Sequence, residues 1–152
     1  MKTNGQSYGL TPLMNFEEFE SLSGHALMCY IVRMKDYQID DNFLNYFVQR
    51  KDQWDIAHLE AAVWWLGKSG LLAAYHEIVK LLDHHSLGVR ILAIGLTVEM
   101  NCEIDAQIMS GVLKNLESKD IDAVHRLWLK SVLTKPASKD AQVLAQCYLE
   151  KQ

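Results

Sequence analysis

Proline and strand-like alternation are both scarce in this sequence, and their scarcity excludes most β-rich folds. The two prolines are Pro12 and Pro136, so residues 13–135 contain none. Such a distribution is expected where nearly every residue is helical, since proline removes a helix hydrogen bond. At 152 residues the chain has enough material for one hydrophobic core. We therefore expect a single domain over residues 1–152 in the all-α class.

Cysteine and long apolar runs are also in short supply. The three cysteines, Cys29, Cys102 and Cys147, have no paired spacing, so we expect neither a disulfide framework nor a zinc knuckle. Cys29 lies in the run ALMCYIV and is expected to be a small buried hydrophobe. No segment reaches the ~18 apolar residues of a membrane span, and the start MKTNGQSYGL lacks a signal peptide's apolar run. These features predict a cytoplasmic protein that does not contact membranes.

Catalytic motifs are missing as well. The sequence contains no G-x-S-x-G, H-E-x-x-H, Walker A or G-x-G-x-x-G pattern, so we expect no enzyme and no cofactor. Two sets of potential metal ligands occur, at Asp83-His84-His85 and at His25 with Cys29. Neither has further ligands at suitable spacing, so a solvated turn and an ordinary helix face are the better interpretations.

Positive charge is too sparse for a protein that binds nucleic acid through phosphate neutralisation, because 15 Lys and Arg face 19 Asp and Glu. The imbalance is local. Residues 15–60 contain nine acids and four bases, whereas residues 61–152 contain ten of each. This acidic third indicates a surface that could attract a basic protein partner.

Apolar residues recur with the helical period along most of the chain. Residues with short polar side chains precede several of these stripes and are expected to cap helices, namely Asn15, Asp40, Asp120 and Ser138. The pattern predicts nine helices, at 15–22, 24–35, 41–51, 56–67, 70–83, 87–100, 104–117, 121–134 and 139–150.

A weak internal period of about 31 to 35 residues is present. Leu82-Asp83 recurs as Leu116-Glu117, and Asp52 lies upstream of Asp83 at a similar interval. The period divides the chain into four helical hairpins, at approximately 24–53, 54–85, 86–119 and 120–152.

The segment 58–97 resembles the HEAT-repeat pattern. The resemblance is carried by Leu66-Gly67-Lys68-Ser69-Gly70, by Ile78, Leu81, Leu82 and Asp83, and by Val89-Arg90 with Ala93 and Leu96. It implies a right-handed α-solenoid of about four HEAT-like hairpins, with helices 41–51, 70–83, 104–117 and 139–150 on the inner surface. It also implies that Arg90 reaches a neighbouring turn, where Asp83 or Glu117 would be its partner. His125 or Arg126 would occupy the equivalent position later in the chain.

The tryptophans add candidate contact residues. Trp64 and Trp65 lie ~100° apart on one helix, and Trp65 is the better core candidate. The predicted contact with a basic partner therefore comprises Asp52, Trp54, Asp55, Glu60 and Trp64. Asp41, Asn45, Gln49 and Tyr75 on the predicted inner helices form the alternative surface.

Three functions remain open from the sequence. The first is a protein-interaction module, in its most concrete form an immunity protein that binds and neutralises a basic nuclease-type toxin, since the chain resembles small acidic bacterial immunity proteins. The second is a scaffold or chaperone subunit of a larger complex. The third is an enzyme similar to the HEAT-type alkylpurine DNA glycosylases, although the inner helices lack the basic cluster that such a groove needs.

Overall fold

The computed structural model describes residues 15–36 and 39–152 of the chain. Over these residues the protein is all-helical, as the sequence predicts. Its α-helices are α1 (Phe16–Ser21), α2 (Gly24–Arg33), α3 (Asp41–Arg50), α4 (Ile56–Lys68), α5 (Leu72–Val79), α6 (Leu87–Met100), α7 (Ala106–Leu116), α8 (Ala123–Val132) and α9 (Lys139–Glu150). Two 3₁₀ helices, Lys51–Gln53 and Lys80–Asp83, follow α3 and α5. Residues 1–14, on which the expectation about a signal peptide rests, lie outside the described residues.

Helix caps follow the predicted chemistry at three of four positions. The side chains of Asn15, Asp40 and Ser138 accept hydrogen bonds from first-turn amides of α1, α3 and α9. The prediction for Asp120 is wrong, because Asp122 caps α8 by accepting from the amide of His125. Asp120 instead pairs with Arg90.

Two predicted helices begin or end elsewhere for identifiable reasons. The helix expected at 104–117 begins only at Ala106, since Ile104 forms an isolated parallel bridge with Ala137 and is buried. The helix expected at 70–83 tightens into the 3₁₀ helix at Lys80. Gly70 has φ +72°, a left-handed conformation that glycine adopts without steric cost, and it lies two residues after the end of α4.

Contacts divide the chain into two compact units, an N-terminal unit over residues 1–69 and a C-terminal unit over residues 70–152. The N-terminal unit has an aromatic core. Phe19, Phe43, Phe47 and Trp65 are fully buried within it, and the rings of Phe19 and Phe43 pack against Trp65. Trp65 is therefore a core residue and Trp64 lies nearer the surface, as predicted.

The C-terminal unit has an aliphatic core. In it α7 contacts α6, α8 and α9, so that α7 occupies the centre of the unit. Its buried side chains include Leu82, Ile94, Ile108, Val112 and Leu129. A Cβ at Gly111 on α7 would lie 3.6 Å from Cβ of Leu82, which is an ordinary contact distance, so the packing at this point does not require glycine.

Candidate functional site

Helix α4 is buried over most of its circumference. The positions that are not buried are Ile56, Ala57, Glu60, Trp64, Gly67 and Lys68. At 100° per residue these positions fall within one arc of about 120°. We call this arc the α4 stripe. Two of the predicted contact residues, Glu60 and Trp64, lie in it one turn apart.

Glu60 is half-buried in the α4 stripe without a compensating cation. Within the described residues its carboxylate makes no hydrogen bond and no ion pair. Partial burial raises the pKa of the Glu60 carboxyl, because desolvation disfavours its charged form. A cationic group at this position would offset the cost of desolvating the carboxylate.

Trp64 presents a half-exposed ring that already holds a cation. The Nζ atom of Lys68 lies over the ring, 5.4 Å from its centroid. This distance is within the ~6 Å range of a cation–π interaction. Lys68 was not among the predicted contact residues, although its spacing four residues after Trp64 is the signal that could have identified it.

Asp52 and Asp55 flank the start of α4 but have different roles. Asp52 is exposed on the 3₁₀ helix Lys51–Gln53. Asp55 is the N-cap of α4, where its carboxylate accepts from the backbone N–H of His58 and lies 2.7 Å from Nδ1 of the same residue. The backbone N–H and then the ring of His58 lower the pKa of Asp55. Asp55 thus stabilises the helix, and Asp52 is the freer of the two charges.

His58 connects α4 to α1. Its ring is buried, and its Nε2 lies 3.0 Å from the carbonyl oxygen of Phe19 while its Nδ1 faces Asp55. The ring also packs edge-on against Phe19, with centroids 5.1 Å apart. His58 is therefore part of the structure of the N-terminal unit.

Trp54 belongs to a network around Glu20 that sequence analysis did not identify. Its Nε1 donates to Glu20 at 3.0 Å, and its ring packs against Phe19 and Phe47. Arg50 donates to Glu20 from Nε and Nη2 at 2.9 and 2.7 Å, and the Tyr46 hydroxyl donates to Glu20 as well. The network connects α1 to α3 and to the turn before α4.

The Glu20 network changes the acid–base properties of its members. Hydrogen bonds from Arg50, and further bonds from Tyr46 and Trp54, outweigh desolvation and lower the pKa of Glu20 to about 2. Burial, with the hydrogen bond to Glu20, raises the pKa of Tyr46 above its usual range. The indole N–H of Trp54 is thus already bonded, which leaves mainly ring contact available to a partner.

The alternative residues divide between the two units. Asp41, Asn45 and Gln49 are exposed on one face of α3, four residues apart, as the prediction requires. Tyr75 is in the C-terminal unit and is half-buried rather than exposed. Its hydroxyl accepts a bond of 3.2 Å from Asn101. Both residues line a pocket of about 410 Å³ with Leu71, Leu72 and Met100.

Arg90, the residue most specific to the HEAT-like pattern, forms a polar junction in the C-terminal unit. It donates to both carboxylate oxygens of Asp120 at 2.9 and 2.8 Å, to Asn115, and to the carbonyls of His84 and His85. The predicted partners Asp83 and Glu117 are wrong. Asp83 pairs with Lys114 instead. All five contacts of the Arg90 guanidinium join parts of the C-terminal unit, so the role of Arg90 is structural.

The prediction that Cys29 is buried is wrong. Cys29 is exposed on α2, and its Sγ lies 3.4 Å from Nε2 of His25. The prediction from the apolar run ALMCYIV failed because only Leu27 and Tyr30 of α2 face the core.

No group of three or more His, Cys, Asp or Glu side chains is arranged to hold a metal ion within residues 15–36 and 39–152. Over the same residues, no helix has both the length and the hydropathy to cross a membrane.

Comparison with known proteins adds no relative. No protein family, no curated protein and no solved structure matches the chain.

Proposed function

We propose that this chain is a protein-binding module that recognises a basic protein, with neither a catalytic role nor a nucleic-acid ligand. In its most concrete form it is a cytoplasmic immunity protein that binds and neutralises a basic nuclease-type toxin. An inhibitor of this kind needs an acidic surface that can replace the phosphates of the nuclease's substrate.

The proposal rests on the ion pairs that the two arginines of the acidic third form. Arg33 pairs with Glu18, and Arg50 pairs with Glu20. Both arginines are engaged inside the N-terminal unit, and five exposed carboxylates of this unit have no ion-pair partner within the described residues. These carboxylates are Glu17, Asp36, Asp40, Asp41 and Asp52, of which Asp40 also caps α3.

The contact that we propose combines Asp52 with the α4 stripe, where Glu60 and Trp64 are half-exposed. Aromatic residues at the centre of an interface and charges at its rim contribute in different ways. The charges mainly accelerate encounter, and the aromatic residue slows dissociation. The exposed face of α3, with Asp41, Asn45 and Gln49, is the alternative contact surface of the same unit.

We also propose that the helices stack as a right-handed α-solenoid of about four HEAT-like hairpins. A repeated capping arrangement supports this. Asp55 caps α4 and contacts Nδ1 of His58, and Asp122 caps α8 and contacts Nδ1 of His125, in both cases at 2.7 Å. The two pairs are 67 residues apart (122 − 55), which is two periods of the internal repeat.

Coexpression with the products of the immediately neighbouring genes tests the function. We expect one of them, a basic protein, to form a one-to-one complex in which its nuclease activity is lost. A multisubunit assembly would overturn the inhibitor in favour of a scaffold, and tight binding of duplex DNA by the purified chain would favour an enzyme. The absence of a complex with any neighbour would overturn the proposal of a cognate toxin.

Charge reversal then tests the surface. Asp41→Lys with Asp52→Lys should slow association by about tenfold or more and weaken its salt dependence. Asp55 is left unchanged, because its substitution would remove the cap of α4. Glu99→Lys with Glu103→Lys, a double reversal at exposed sites in the C-terminal unit, is the matched control. If the double reversal and the control changed the association rate equally, the proposed contact surface would be wrong.

A further inference from the structure

Two groups that each attract a cation lie one turn apart in the α4 stripe. Glu60 offers a carboxylate, and Trp64 offers the face of an indole ring. At a spacing of four residues their Cβ atoms are about 6 Å apart on one side of the helix. A carboxylate accepts two parallel N–H bonds from a planar guanidinium, and a tryptophan face attracts the same cation.

The face of the Trp64 ring already lies against a cation in this structure. Lys68 lies over the ring at 5.4 Å from the centroid, one turn further along α4. Lys68 is exposed, and within the described residues its ammonium has no carboxylate partner. The long and flexible side chain is therefore a cation that a competing group can displace at small cost.

The Glu60 carboxylate lacks the hydrogen-bond donors and the positive charge that a guanidinium would supply. It is partly desolvated, and no donor within the described residues compensates for the lost water. Lys68 cannot serve this purpose from its position over the ring, since it lies eight residues away, about two turns of α-helix. A group that bonds to Glu60 and stacks on Trp64 at once must be planar, cationic and rich in N–H donors, which describes arginine and not lysine.

We infer that Glu60 and Trp64 form a slot for an arginine side chain of the basic partner. The guanidinium stacks on Trp64 in place of Lys68 and donates to the carboxylate of Glu60. Lys68 covers the ring in the free protein and moves to solvent on binding. This inference rests on the proposed function, because the slot lies on the surface through which a basic partner is proposed to bind.

Two peptides of equal charge test the slot on the full-length protein. Capped octa-arginine and capped octa-lysine are titrated separately by isothermal titration calorimetry at low salt. We expect the arginine peptide to bind about tenfold more tightly, since only arginine can both stack and bond bidentately. Glu60→Gln and Trp64→Leu should each remove most of this preference, whereas Asp41→Asn, which deletes an equal charge on α3, should weaken both peptides alike.

Removing Lys68 should strengthen peptide binding, whereas the substitutions above should weaken it. Lys68→Ala should tighten the arginine peptide by severalfold, because the ring face no longer has to be vacated. The matched control is Lys35→Ala, which removes the same charge from an exposed site in the N-terminal unit. A purely electrostatic effect of Lys68→Ala would tighten the arginine and the lysine peptide by the same factor, and that result would contradict the slot.

The possible failures are distinguishable. Equal binding of the two peptides, with Glu60→Gln no more harmful than Asp41→Asn, would overturn the slot and leave the acidic surface standing. Failure of both peptides to bind at low salt would overturn the acidic binding surface itself, and the slot with it. Circular dichroism of each variant verifies that the helices are retained.

Discussion

Replacing Glu20 by glutamine should weaken the N-terminal unit more than any other conservative change at a charged residue of that unit. The Glu20 carboxylate accepts from Arg50, Trp54 and Tyr46, and so joins α1 to α3 and to the turn before α4. Glutamine has nearly the same shape. It removes the charge and turns one acceptor oxygen into an NH₂ group that faces donors.

The lowered pKa sets the size of the effect. The pKa of Glu20 falls from 4.5 to about 2 in the folded protein. At 1.36 kcal/mol per pH unit, this corresponds to at most about 3 kcal/mol of stability. Glu20 is 25% exposed and Arg50 is 39% exposed, so solvent screens part of the interaction. We expect Glu20→Gln to reduce the free energy of unfolding by about 2 kcal/mol at pH 7.

The same shift predicts a pH dependence with a definite sign. Because the folded pKa lies below the unfolded value, the unfolded chain binds a proton first as pH falls. The stabilisation is complete above about pH 5.5, decreases below 4.5 and is lost as pH passes through 2. More than half of the difference between the wild type and Glu20→Gln should therefore vanish between pH 6 and pH 3.

Urea unfolding followed by tryptophan fluorescence measures this difference. A Trp128→Phe background places all remaining tryptophans, Trp54, Trp64 and Trp65, in the N-terminal unit. Glu17→Gln is the control, since Glu17 is an exposed neighbour on α1 that takes part in no ion pair within the described residues. A cost for Glu20→Gln no larger than that of the control, or a difference that stays constant from pH 6 to pH 3, would refute the reasoning.

Five further substitutions test the C-terminal unit by urea unfolding of the full chain. Leu82→Ala and Leu116→Ala occupy equivalent repeat positions, are 4% and 2% exposed, and should each cost about 2–5 kcal/mol. Gly111→Ala should stabilise by up to about 1 kcal/mol, since its Cβ would meet Leu82 at an ordinary contact distance, whereas Gly70→Ala should cost about 1–2 kcal/mol at φ +72°. Arg90→Lys keeps the charge but loses the planar fork that reaches Asp120, Asn115 and two carbonyls, and should cost about 2 kcal/mol.

Matched exposed sites serve as controls for these changes. Leu72 is 71% exposed, so Leu72→Ala should change stability by less than about 0.5 kcal/mol. The exposed pair of Lys114 with Asp83 should contribute less than about 1 kcal/mol, so Lys114→Ala should be mild beside Arg90→Lys. A neutral Leu82→Ala or Leu116→Ala would contradict the repeat register, and a mild Arg90→Lys would contradict the junction.

Local signals predicted the helices well because they depend on near neighbours. Asn15, Asp40 and Ser138 bond to amides three residues ahead, which is a property of a short segment. The misplacements came from distant partners. Asp120 leaves its expected capping role because Arg90, 30 residues earlier in the chain, bonds to it. Ile104 stays outside α7 because it pairs with Ala137.

The candidate site was predictable in part for the same reason. The spacing of Glu60 and Trp64 places them on one helix face, and the structure agrees. The role of Trp54 was not predictable, since its indole bonds to Glu20, 34 residues earlier in the chain. The exposure of Cys29 was missed because an apolar run does not reveal which side of a helix finds a partner.

The all-helical class, the positions of most helices, the acidic third and the adjacency of Glu60, Trp64 and Lys68 along one face follow from the sequence alone. Each depends on composition or on residues within two helical turns of each other. Only the tertiary structure decided that Arg33 and Arg50 are engaged by Glu18 and Glu20, while five exposed carboxylates of the N-terminal unit have no ion-pair partner within the described residues. Which charges neutralise each other depends on which helices pack together, and that packing is set by the burial of the aromatic core rather than by any local pattern.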